Sequence, residues 1–86
     1  MLTIDPYQPL LFSENDPDRD AKEQALHAMS NEDLVTLYKH TRAEAHAARE
    51  AHDMETLYPL VRGMKTIQRI TSRRGLIIRA RQLLES

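Results

Sequence analysis

Two amphipathic stretches of nearly equal length, divided by the dipeptide His52-Asp53, constrain this chain more than any other feature of its sequence. Stepping about 100° per residue from Leu34, the residues Leu34, Leu37, Tyr38, Thr41, Ala45, Ala48 and His52 fall within about 60° of one line. Thr36, Lys39, Ala43, Ala47 and Glu50 fall opposite. In the second stretch Leu57, Leu60, Val61, Met64, Ile67 and Thr71 gather on one side, and Arg62, Lys65, Arg69 and Arg73 form a stripe on the other. The spacing predicts helices over about 31–52 and 54–73, and so short a turn makes them antiparallel neighbours. The first stripe passes from large side chains (Leu34, Leu37, Tyr38) to small ones (Ala45, Ala48), so the helices are expected to approach most closely near the turn.

The flanking sequence supplies the ends. Ser30 is placed as an N-cap with Asp33 three residues on, and Met29 with Leu34 is placed as a hydrophobic staple. Asp53 is the expected cap of the next helix; Pro59 predicts either a local kink or a start nearer Thr56. Upstream, Asp16 before Pro17 reads as a cap with proline in the first helical position, predicting a short helix over about 17–28 whose narrow apolar side is Ala21, Ala25, Ala28 and Met29. Pro6 and Pro9 keep residues 1–15 out of a helix, as an extended arm. After Ser72 the apolar phase changes sides. Arg73-Arg74-Gly75 suits a helix stop, with a last helix over about 76–85 folding back. The competing reading is one continuous helix whose apolar end is buried in a second copy, giving a homodimer. The expected fold class is all-α: an antiparallel helical hairpin with short flanking helices and an extended N-terminal arm, forming one small helical bundle.

With 86 residues the chain makes a single domain with a proportionally small core, and without cysteine it has neither disulfides nor thiolate ligands. No apolar run is long enough to span a bilayer, and MLTIDPYQPLLF lacks the basic flank and apolar stretch of a signal peptide, so the expected compartment is the cytoplasm, without membrane association. Charge is distributed unevenly. Residues 1–33 hold eight acids against two bases, whereas residues 59–86 hold seven bases against Glu85 alone. Either the acidic front folds over the basic back, which is the favoured reading, or the basic back faces an anion.

Catalytic and metal chemistry find little support in the sequence. His40, His46 and His52 recur every six residues, which sets consecutive rings about 120° apart on a helix, and His27 lies on another segment, so no metal site is expected. Asp16, Asp18 and Asp20 imitate the opening of a calcium loop, but Ala21 stands where glycine is needed and His27 where glutamate is needed. There is no glycine-rich phosphate loop and no serine in a nucleophile elbow. A non-enzymatic protein without cofactor is the expectation. The best anion surface is the stripe Arg62, Lys65, Arg69, Arg73 with Arg74 beside it, the candidate nucleic-acid-binding residues. No aromatic residue follows Tyr58 to stack on bases.

One short motif stands out in the arm. QPLLF, from Gln8 to Phe12, resembles the bacterial sliding-clamp-binding pentapeptide, with Gln8, Leu11 and Phe12 at the matching positions and Pro9 where leucine is common. The resemblance covers only these five residues and implies that Leu11 and Phe12 fill a partner's pocket while Gln8 hydrogen-bonds at its rim. The alternative is that Leu10, Leu11 and Phe12 cover the open apolar side of the hairpin. Two functions follow from these features. The first is a small adaptor or regulatory protein acting by protein–protein contact through the arm and helical faces, self-association included. The second is a nucleic-acid-associated accessory protein that uses the basic stripe and docks a clamp through QPLLF.

Overall fold

The computed structural model describes residues 2–76; the helix expected over 76–85, with Arg79 and Arg81, falls beyond Leu76 outside the described residues. Three helices are present: α1 (Arg19–His27), α2 (Asn31–Glu50) and α3 (Met54–Arg73), with no strand among the described residues. α2 and α3 pack side by side along their length as a hairpin, and α1 contacts α3.

Local chemistry accounts for most of the boundaries. The Ser30 hydroxyl accepts the Asp33 N–H at 3.1 Å and starts α2, and the Asp53 carboxylate accepts both the N–H and the hydroxyl of Thr56 and starts α3. α3 runs through Pro59 without interruption. Both long helices stop in the same way. At the end of α2, Asp53 N–H donates to Ala48 O and His52 N–H to Arg49 O; at the end of α3, Leu76 N–H donates to Thr71 O and Gly75 N–H to Ser72 O. These are Schellman motifs, which need a left-handed residue at the penultimate place. Gly75 fills it with φ 81°, and His52 fills it with φ 56°. His52 is therefore an exposed turn residue and not, as its phase predicts, the last member of the α2 apolar stripe.

α1 begins later than its sequence predicts. Asp16 does not cap it: its carboxylate accepts the N–H groups of Ser13 and Asp18 and the Lys22 ammonium, which holds Asp16 and Pro17 in a turn ahead of the helix. The buried residue of α1 is Leu26, while Ala21 and Ala28 are exposed. Leucine removes more apolar area from water than alanine, so the core takes the leucine side of the helix.

The core has two parts. The larger joins Leu10 and Phe12 of the N-terminal segment and Leu26 of α1 to Leu34, Leu37 and Tyr38 of α2 and Ile67 and Ile70 of α3. The smaller, toward the hairpin turn, consists of Ala45, Ala48, Leu57 and Leu60, drawn from α2 and α3 alone. The N-terminal segment reaches the larger part by crossing α3 at Gly63. A Cβ placed there would lie 2.3 Å from Leu10 O, so the crossing requires glycine. Leu10 N–H donates to the buried Thr41 hydroxyl at 3.0 Å and Phe12 N–H to Pro59 O at 3.2 Å, which satisfies the backbone of the crossing strand of chain.

Candidate binding groove between α2 and α3

In the N-terminal segment, alternate side chains of extended backbone point to opposite sides, and residues 10–12 follow that rule. Leu10 and Phe12 are 5% and 4% exposed, whereas Leu11 between them is 44% exposed. Gln8 is exposed as well. The pair Leu11 and Phe12, expected to enter one partner pocket together, is thus divided: Phe12 is spent on the core, and its carbonyl accepts Arg62 Nη1 at 3.2 Å. Lys22 fastens this stretch from the other side, donating to Leu11 O at 2.8 Å and to Asp16 at 2.6 Å, with its ammonium 5.2 Å from the centre of the Phe12 ring. That lysine and two backbone N–H groups hold the Asp16 carboxyl down at about 2.

The five cations of the basic stripe are not equivalent. Arg62 is bound to the Phe12 carbonyl, and Arg69 forms an ion pair with Glu23 of α1. Arg74 closes the C-terminal end of α1, donating to His27 O at 2.7 Å, to Met29 O at 2.8 Å and to Asn31 Oδ1 at 3.1 Å. Such carbonyls are left without partners by a helix end, and an arginine fork suits them. Lys65 and Arg73 are exposed and make no hydrogen bond or ion pair among the described residues. The acidic front does meet the basic back, through Glu23 and Arg69.

A second set of cations was hidden in α2. Arg42, Ala45, His46 and Arg49 are spaced i, i+3, i+4 and i+7, so they form one stripe along the helix. They make one wall of a groove of about 320 Å³, of which Leu57, Val61, Met64, Lys65 and Gln68 of α3 make the other. Ala45, Leu57, Val61 and Met64 give it apolar surface, Arg42, Arg49 and Lys65 give it positive charge, and no carboxylate lines it among the described residues. At the bottom, Gln68 Nε2 donates to Tyr38 Oη at 3.1 Å; burial pushes the Tyr38 hydroxyl up, and the Arg42 guanidinium beside it pulls the other way. Met54 and Tyr58, 40% and 57% exposed, continue the same side of α3, because Met54, Tyr58, Val61 and Lys65 are spaced i, i+4, i+7 and i+11. Lys65 also borders a second hollow, of about 290 Å³, with Arg19, Arg62 and Arg69. The signal that could have found the groove was the arginine-and-alanine stripe of α2, but net charge near balance over 34–58 concealed it.

The histidines are dispersed. His40 Nδ1 lies 2.9 Å from Thr36 O and its ring meets Tyr7 edge to face, and His46 Nε2 is 3.7 Å from Glu50 on the surface. No three His, Cys, Asp or Glu side chains among the described residues are placed to hold a metal ion, and no helix there is long and apolar enough to cross a membrane. Compared with known proteins, the chain matches no family model, no curated protein and no solved structure.

Proposed function

We propose that this protein is a small non-enzymatic binding module that engages a protein partner on the exposed face of the α2/α3 hairpin. The observation that carries the reading is the composition of the groove: apolar surface from Ala45, Leu57, Val61 and Met64 beside Arg42, Arg49 and Lys65, with no carboxylate lining it among the described residues. Apolar contact supplies affinity and the cationic rim supplies orientation and association rate, the division of labour seen in protein–protein surfaces. The N-terminal segment serves this function as a cover that completes the core, with Leu11 and Gln8 on its outer side.

The nucleic-acid reading draws less support. Three of its cations, Arg62, Arg69 and Arg74, already bind groups of the protein, and a clamp docked through QPLLF would have to extract Phe12 from the core. The test is a photo-reactive amino acid at Tyr58, introduced into the full chain in its native cells. Protein cross-links are expected, and they should disappear when Arg49→Glu and Lys65→Glu are combined. Cross-links to nucleic acid alone, or protein cross-links indifferent to those two charges, would overturn the proposal.

A further inference from the structure

Resting on that reading, we infer that the occupant of the α2/α3 groove is an acidic amphipathic helix of a partner protein. Both walls of the groove are regular helices, so the side chains they present repeat at helical intervals: Arg42, Ala45, His46 and Arg49 on one side, Leu57, Val61, Met64 and Gln68 on the other. A third helix laid along them can match that repeat with its own apolar residues at i, i+3, i+4 and i+7. From Leu57 to Gln68 the α3 wall runs for about 17 Å at 1.5 Å per residue, which accommodates about three turns.

Charge selects the class of helix. Arg49 and Lys65 are exposed at the rim and Arg42 is half-buried beside Tyr38, while no acid among the described residues lines the groove. Among the described residues, the nearby carboxylate in an ion pair is Glu50, which faces His46 outside the lining. A neutral or basic helix would leave the three cations without counter-charge, whereas glutamates flanking an apolar stripe meet them on both sides. A phosphate backbone could satisfy the cations but not Leu57, Val61 and Met64 beneath them or the exposed Met54 and Tyr58 alongside, which is why a protein helix is favoured over a nucleic acid.

The experiment titrates the full chain with a fluorescent synthetic peptide of about 14 residues, leucine at i, i+3, i+4 and i+7 and glutamate on both flanks of that stripe. Saturable binding is expected, with a loss of at least about tenfold for a scrambled peptide of equal charge. A loss of similar size is expected on Arg49→Glu with Lys65→Glu, recovered by a peptide carrying lysine in place of glutamate. Circular dichroism verifies that the variant, altered only at exposed positions, remains folded. Equal binding of the scrambled peptide, indifference to the charge reversal, or stronger binding of a duplex DNA of comparable charge would overturn the inference. If no peptide binds while Tyr58 still cross-links a protein in a charge-dependent manner, the helical occupant is refuted and the binding face itself stands. Loss of the cross-links refutes both.

Discussion

The two ends of the hairpin are held together by different means. Away from the turn, Leu34, Leu37, Ile67 and Ile70 are bulky, and the space they leave is filled by Leu10, Phe12 and Leu26 from outside the hairpin. Toward the turn, Ala45 and Ala48 meet Leu57 and Leu60, and among the described residues no buried side chain of a third element joins that cluster, although the Phe12 N–H reaches Pro59 O beside it. Large side chains hold a helix pair apart and call for a covering layer, whereas small ones let the pair close on itself. The uncovered end is where the groove with its cationic rim lies. In this molecule, the cover determines which side of the hairpin becomes the larger core.

The largest effects should come from removing the cover. Phe12→Ala is expected to cost about 3–5 kcal/mol, a large fraction of the ~5–15 kcal/mol that stabilises a typical domain, and thermal unfolding should show it. Leu11→Ala, one residue away and facing solvent, should stay within about 0.5 kcal/mol of the parent. Comparable losses for the two would remove the distinction between inner and outer faces of the segment. Next in size is Gly63→Ala. The helix gains about 1 kcal/mol from alanine, but the new methyl group collides with the Leu10 carbonyl, and overpacking of this kind costs about 1–3 kcal/mol. A net loss of up to about 2 kcal/mol is expected, together with faster hydrogen exchange of the Leu10 amide as its bond to Thr41 is released. Unchanged exchange would mean that the segment does not depend on that crossing.

At the uncovered end the expected effects are smaller and of opposite sign. His52→Gly should raise stability by about 0.5–1 kcal/mol, because φ 56° strains a side chain and suits glycine, as Gly75 shows at the other helix end. A melting temperature that falls instead would indicate a compensating role for the imidazole.

The last difference is confined to acid. The folded-state value of Asp16, about 2, lies below the ordinary 3.8, so its contribution is complete above the ordinary value and disappears as the pH falls through that interval. Urea unfolding of the parent and of Asp16→Asn should therefore differ near neutrality and converge toward pH 2. A gap that persists at pH 2 would assign the aspartate a role other than holding Lys22 and the turn.

How far these features were legible depends on how local their causes are. Ser30 and Asp53 announce helix starts because a cap acts within three residues, and the buried face of α2 follows from spacing alone up to Ala48. Asp16 misled because its carboxylate serves Ser13 and Lys22 as well as the local turn. The spacing points to the alanines around Leu26 instead of to Leu26 itself, since only the bulk of the facing helices decides which side of a short helix is worth burying. The stripe of α3 was visible as sequence, but which of its cations are occupied depends on Glu23, Phe12 and the end of α1, each far away along the chain.

By itself the amino-acid order determined that there would be two long antiparallel helices, where they begin, and which way their apolar sides face, because capping and periodicity operate over a few residues. Only the tertiary structure decided that Phe12 would be core and Leu11 surface, that Gly63 would be the crossing point, and that Arg42, Arg49 and Lys65 would stand around one groove. Those outcomes arise from distant segments competing for the same apolar surface, and that competition is resolved only when the chain packs.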